Sequence, residues 1–430
     1  MLVRRLIRFI TLALIACLTA HGAIAQQSGD VIHGDLGRRA DSLLTQAAKD
    51  GFSAVILIAK GDTILLRRGY GWADRGKKIP FSPNTIFDIG SITKQFTAAG
   101  ILALEAQGKL STKDPLSRYF PNAPADKARI TLHQVMTHSA GFDDDFGPDY
   151  AVMSRDSLMR LVMARPLMFK PGKEWSYSNA GYSVMATIIE KVSGVPYETF
   201  LHDRLFARAA MATTGYTIPH WDLTRLSRGY GSRNDDQGTP LEKVWGADGP
   251  YWTLKGNGGI LSTMDDMYRW HLTLRNRAVL PEAAMKKLEQ GYVLEDPKDT
   301  TTRYGYGWEF DRGFRCAWLP GERRGYAELE PVEIVELEHA NAPGAIRRLV
   351  DERSASRLDA RRRRVHISRR RNVDLEIESL PLYPVPTQLA VVLIEHKAAV
   401  TGTHHGGRYV AFVLERLVHR QSDGIAVEVD

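Results

Sequence analysis

The chain has 430 residues, 43% hydrophobic and 25% charged, with a formal net charge of +7. This is ordinary globular composition with ample material for a core, enough for one large domain or two smaller ones, and it excludes a small, disulfide-stapled module. The positive excess by itself would admit nucleic acid or an anionic surface as partner, but it is concentrated in the tail, as shown below.

Residues 1–25 are expected to be a signal peptide rather than part of the fold. Arg4, Arg5 and Arg8 form a basic start, residues 9–17 an apolar run too short to span a bilayer, and Ala23-Ile24-Ala25 an A-x-A-like cleavage site before Gln26. A rival pattern, Leu14-Ile15-Ala16-Cys17, resembles a bacterial lipobox and would tether the protein to a membrane through a lipid on Cys17; simple cleavage is the preferred reading. The chain has two cysteines, Cys17 and Cys316, so cleavage at Ala25 leaves no partner for a disulfide and no cysteine-based zinc site.

Beyond the leader, residues 35–49 have apolar positions at helical spacing and predict a surface helix. Residues 54–59 and 63–70 read as two strands joined at Lys60-Gly61-Asp62, a β-hairpin. From Ser91 to Gln107 the pattern is helical and ends at Gly108. Small residues (Ala98, Ala99, Gly100, Ala103, Ala106) line it, which suits a central, closely packed helix. Residues 132–215 read mostly as helices and loops, with the clearest helix over 182–191. Another begins after Thr263 as cap, with Asp265 and Asp266 near its positive end, and runs through Trp270 towards Leu274. The order of elements predicts an α/β (α+β) sandwich, an antiparallel sheet flanked by helices with a mostly helical insertion.

The tail differs in character. Of the arginines 22 precede residue 312 and 18 follow from Arg312 on, while the lysines divide 16 to one. Arg361 to Arg364 and Arg369 to Arg371 are like-charge runs. The unit expected to carry function is therefore 26–312. Residues 313–430 are an atypical Arg-rich region: either a basic linker or interaction tail, or a divergent, fused or frameshifted segment. An export signal and the absence of aromatics among the arginines argue against nucleic acid as a partner.

Two short motifs carry chemistry. Ser91-Ile92-Thr93-Lys94 is an S-x-x-K. On a helix, residues three apart share a face, so the amine reaches the hydroxyl, and the helix N-terminus favours negative charge on the serine oxygen. A lysine desolvated there can accept the serine proton. Tyr177-Ser178-Asn179 places a phenol and an amide two residues apart, able to point the same way from an extended segment. Against these stand plainer readings: a capping serine with a surface lysine, and a turn before Gly181. His133 and His138 lack an accompanying carboxylate cluster and do not read as zinc ligands. Asp143-Asp144-Asp145 lacks calcium-loop spacing and reads as a solvated loop.

The set resembles class C β-lactamases and their relatives, the D-alanyl-D-alanine carboxypeptidases and β-lactamase-like esterases. S-x-x-K and Y-x-N are joined by Thr137-His138-Ser139-Ala140-Gly141, similar to the family's T-H-T-S-G. Phe169-Lys170-Pro171-Gly172 leads to the Tyr177 motif as in the family. Gly258-Gly259-Ile260-Leu261-Ser262-Thr263 and Tyr304-Gly305-Tyr306-Gly307-Trp308 follow in the family's order. The resemblance covers residues 35–311. It implies a β-lactamase/transpeptidase-like fold and an exported, periplasmic or secreted hydrolase that acylates Ser91 and needs no cofactor or metal. Lys94 and Tyr177 would handle the proton, Asn179 would bind the substrate, and the substrate would be a small molecule or peptide with an amide or ester: a β-lactam, a D-Ala peptide or a small ester.

The departure is the family's third motif, a K-T-G or H-x-G on the facing strand, which gives one of two oxyanion N–H donors. Residues 319–326 fall near the right place, with Leu319 where a histidine is expected; His404-His405-Gly406-Gly407 is the other candidate. Without that wall the oxyanion hole lacks a donor, a loss that costs about 100- to 1000-fold in rate. The alternative function is then a catalytically impaired member acting in binding or as a scaffold.

Overall fold

The computed structural model describes residues 29–60, 62–144, 146–230, 235–311, 314–317, 332–339 and 388–398. The signal-peptide residues, Cys17, residues 319–326, the arginine runs and His404 and His405 lie outside them.

The strand Ala54–Lys60 is apolar throughout up to Ala59 because both of its faces are buried there. Ala54, Ile56 and Ile58 pack on Ala40, Leu44 and Ala47 of the Gly34–Lys49 helix. The alternate residues Val55, Leu57 and Ala59 face the main core with Phe96, Ile101 and Leu102. Two-residue alternation along one strand thus separates two helical layers. The expected hairpin is present, with Ala54 opposite Tyr70 and Lys60 opposite Thr63.

The sheet has nine strands in the order Val31–Ile32, Thr63–Tyr70, Ala54–Lys60, Gln388–Ala398, Val332–His339, Phe314–Ala317, Glu309–Asp311, Asp299–Tyr304, Val293–Asp296. Its pairings are antiparallel, as expected, except that Gln388–Ala398 runs parallel to both its neighbours, Ala54–Lys60 and Val332–His339.

On the core face lies the Thr93–Ala106 helix, buried along nearly its whole length. Its small residues allow close approach: a Cβ on Gly100 would stand 3.0 Å from Ile189 Cδ1 and 3.2 Å from Leu201 Cδ2. Its partner, Asn179–Ser193, begins three residues before the run of apolar periodicity, because the Ser178 hydroxyl caps it by accepting from Gly181 N at 3.1 Å. It ends where Gly194 turns left-handed at φ 77°. The Met264–Arg275 helix starts as expected, with Thr263 Oγ1 accepting from Asp266 N. Asp265 in its first turn reaches back to the sheet and takes both a 2.5 Å and a 2.6 Å bond from the guanidinium of Arg67, which is buried. Trp270, one face further on, donates to Gln95 Oε1 at 2.7 Å and packs against Phe96. Among the described residues no helix is long and apolar enough to cross a membrane.

The turn between the strands Asp299–Tyr304 and Glu309–Asp311 meets the central helix at Gly307, whose φ is +77°. A Cβ there would lie 2.7 Å from Gln95 N and 2.8 Å from Gln95 Cα and Lys94 C, all backbone atoms that cannot swing aside. Gly307→Ala is expected to cost about 2 kcal/mol or more through left-handed strain and overpacking. A thermal melt of the variant that matches wild type would contradict this.

Candidate active site

The chain enters the site along Phe87–Asp88, paired antiparallel with Leu261–Ser262. Ile89 N donates to Ile260 O at 2.9 Å, and Ile260 N donates to Thr93 Oγ1 at 3.3 Å. The glycine-rich segment 258–263 therefore braces both sides of Ser91. The helix expected to open at Ser91 instead begins as a 3-10 turn, Gly90–Ile92, and becomes α-helical at Thr93. Gly90, at φ 51°, makes the sharp bend that presents the serine.

Lys94 follows on the same face and is 1% exposed. Its Nζ lies 2.8 Å from Ser91 Oγ, 2.7 Å from Asn179 Oδ1 and 2.8 Å from Asn257 O. The faces of the Tyr177 and Tyr182 rings stand 4.7 and 5.8 Å away. Tyr177 approaches from the other side, its hydroxyl donating to Ser91 Oγ at 2.7 Å. The structure thus brings Lys94 and Tyr177 together at Ser91 Oγ, with Asn179 bonded to Lys94 Nζ. Tyr177 and Asn179 flank the capping residue Ser178, whose extended backbone (φ −143°, ψ 110°) sends both side chains into the site.

Behind Tyr177 lies His138, buried, its ring 4.4 Å from that of Tyr177 and 4.6 Å from that of Tyr304. Burial, and secondarily the charge of Lys94, hold its pKa well below the usual histidine range. Its Nδ1 accepts from Ser178 N at 3.0 Å, so the neutral ring carries its proton on Nε2. His133 is engaged elsewhere, with Nδ1 2.8 Å from the Tyr306 hydroxyl. Among the described residues no three His, Cys, Asp or Glu side chains gather as a metal site requires.

An open cleft leads to Ser91 and is walled by Trp175, Tyr177, Tyr304, Gly307, Glu295 and Glu309. The expected facing motif falls outside the described residues in both of its candidate forms, residues 319–326 and His404–His405.

Two contributors escaped the sequence reading. Asn257 offers only its backbone carbonyl to Lys94, and a backbone acceptor leaves no mark on residue type; its side chain is spent on Ser183 Oγ and Thr253 O, both at 2.9 Å. Asp144 was read as part of a solvated acidic loop. It is instead partly buried against the Asn179 helix, with Oδ1 3.3 Å from both Asn179 N and Asn179 Nδ2.

The α/β sandwich with a helical insertion is the fold of penicillin-binding proteins and β-lactamases. The model of the Beta-lactamase family matches residues 40–322, and the chain belongs to that family. It is 31% identical over 242 residues to the putative penicillin-binding protein PbpX of Bacillus subtilis (strain 168), covering 55% of this chain and 59% of that protein. It is 28% identical over 313 residues to penicillin-binding protein 4* of the same organism, covering 69% and 68%. The penicillin-binding protein from Bacillus halodurans has a similar structure, with a TM-score of 0.53, 27% identity, and coverage of 65% of this chain and 91% of that one. The matched stretch thus spans somewhat over half of the PbpX relative.

One group at the site should titrate in an accessible range. Asp88, three residues before the serine, accepts from Gly90 N at 2.7 Å and from the Tyr150 hydroxyl at 3.3 Å. Burial, reinforced by Asp149 and opposed by the Gly90 N–H, pushes its carboxyl from 3.8 up to about 6. The folded protein therefore holds a proton that the unfolded chain releases near pH 4. The stability this proton supports is complete below about pH 4 and lost as pH rises through about 6. Asp88→Asn, neutral throughout, should match wild type near pH 4 and exceed it at pH 8 by about 1–2 kcal/mol in urea melts, allowing for partial exposure. A variant weaker than wild type at pH 8 would mean that the ionised carboxylate is a net stabiliser of the Gly90 turn.

Proposed function

We propose that this chain is an exported serine hydrolase that forms an acyl-enzyme on Ser91 and releases it to water. The observation that carries the reading is the convergence of Lys94 Nζ and the Tyr177 hydroxyl on Ser91 Oγ, at 2.8 and 2.7 Å.

We assign Lys94 as the base in its neutral amine form, with Ser91 Oγ, Asn179 Oδ1 and Asn257 O 2.8, 2.7 and 2.8 Å from its Nζ. A neutral amine has two N–H bonds and one lone pair. Asn179 Oδ1 and Asn257 O, both fixed acceptors, claim the two hydrogens. The lone pair is left facing Ser91 Oγ. Lys94 takes the serine proton as the oxygen attacks the substrate carbonyl, and the Tyr177 hydroxyl passes a proton to the leaving amine or alkoxide. Because the three groups are hydrogen-bonded, Lys94 and Tyr177 act as one proton-handling unit with shared apparent pKa values. The Ser91 backbone N–H gives one oxyanion donor, and a second is assigned to the facing strand that the family's third motif would supply. Asn179 contributes its amide to binding of the acyl group. Water attacks the ester and frees the serine. No step calls for a metal or cofactor.

The substrate is assigned to amides and esters: a β-lactam, a D-alanyl peptide or a small ester. The hydrolase unit is assigned to residues 26–312, after an export signal at 1–25, with membrane attachment only if Cys17 is lipidated, and with no nucleic-acid partner. Family membership and the aromatic, open cleft support a small-molecule or peptide substrate.

Wild type should be covalently labelled by a fluorescent penicillin or a fluorophosphonate, and Ser91→Ala should lose the label; label persisting in Ser91→Ala would reject the assignment. Lys94→Ala and Tyr177→Phe should each slow labelling by about 100-fold or more. Relative turnover of nitrocefin and p-nitrophenyl esters then sorts the substrate classes.

A further inference from the structure

The two ends of an asparagine amide are nearly the same size, so packing does not choose between them; hydrogen bonds do. At Asn179 the choice has a chemical consequence. With Oδ1 towards Lys94, the amide accepts from the amine. With Nδ2 towards Lys94, two donors would oppose each other and the amine would lose one of its two fixed acceptors.

We propose that Asp144 is a positioning residue that sets the orientation of the Asn179 amide and, through it, the direction of the Lys94 amine. This rests on the reading of Lys94 as the base. A carboxylate can only accept, so it forces Nδ2 to its own side, at 3.3 Å, and leaves Oδ1 for Lys94 Nζ at 2.7 Å. Asp144 Oδ1 also accepts from Asn179 N at 3.3 Å, which ties the amide and the backbone of Asn179 to one point.

The loop that carries Asp144 is in turn stitched to the start of this helix. Ser178 Oγ donates to Asp143 O at 2.7 Å, and Ala180 N donates to Asp144 O at 2.9 Å. Asp144 N is held by Asp143 Oδ1 at 2.9 Å, and Asp143 Oδ2 is gripped by Arg165 at 2.5 Å. The helix already has its cap in Ser178, so the side chain of Asp144 is not needed to begin it. Its position is accounted for by the amide it orients. A negative charge one amide away from Lys94 also favours the ammonium form, which gives the arrangement a signature in pH.

The test is the pH dependence of the second-order rate of labelling of the full chain by a fluorophosphonate, in wild type, Asp144→Asn, Asn179→Ala and the double variant. Asp144→Asn keeps the size but no longer dictates the flip, and should label about 10-fold more slowly. Loss of the anion should move the rise of rate with pH to lower pH, because the ammonium is less favoured. In the Asn179→Ala background the same substitution should change the rate by less than about 2-fold, since there is no amide left to orient. Asp144→Glu, which retains the acceptor-only charge, should recover much of the rate. If Asp144→Asn does not fold, Asp144→Ser is read in the same way. An equal loss with and without Asn179, or a loss with no movement of the pH limb, would reduce Asp144 to a structural residue and overturn the inference. Wild type that takes no label would reject the hydrolase reading itself, and this inference with it; labelling equal in wild type and Asp144→Asn would overturn the inference alone.

Discussion

A lysine amine sealed inside the protein beside a serine hydroxyl is the constraint around which the site is arranged. An amine out of water must have its hydrogens placed, or its burial costs several kcal/mol. The structure meets that need with acceptors from two distant parts of the chain, the Asn179 amide at a helix start and the Asn257 carbonyl in a glycine-rich turn. Both are held from behind. Asn257 donates to Ser183, which lies on the same helix as Asn179, and Thr97 on the Thr93–Ala106 helix donates to the neighbouring Gly256 carbonyl. The three segments that meet at Lys94 are thus bound to one another as well as to it. Moving any of them changes where the amine points.

The same economy appears around Tyr177. Its ring lies over a neutral histidine, and that histidine's Nδ1 holds the amide of Ser178. Ser178 in turn caps the helix whose first residue is Asn179. A single cap therefore aims two side chains, one at the serine and one at the lysine. His138 adopts φ 56°, an uncommon conformation for a non-glycine residue, and this places the imidazole beneath the ring.

Much of the architecture was legible from local pattern. The hairpin over 54–70, the capped helix after Thr263 and the small-residue helix after Ser91 each follow from spacing that one element imposes on its own residues. The boundaries moved where side chains rather than periodicity set them. The Asn179 helix starts early because a hydroxyl caps it, and Ser91 sits on a 3-10 turn because Gly90 bends the chain sharply before the helix. The acidic run at 143–145 misled because charge alone suggests solvent. Asp144 turned out to face a helix N-terminus, where an anion is favoured, and an amide that requires an acceptor.

By itself, the sequence determined which chemical groups are available: a serine and a lysine one helical turn apart, and a tyrosine and an asparagine astride a cap. Those relations are local, because backbone geometry fixes distances over three or four residues. Only the tertiary structure decided that Tyr177 meets Ser91 Oγ while Asn179 meets Lys94 Nζ, that a carbonyl with no side-chain signature joins the lysine's partners, and that an aspartate 35 positions from Asn179 lies against its amide. Such contacts depend on how elements far apart in the chain pack together, and residue type and spacing carry no record of that.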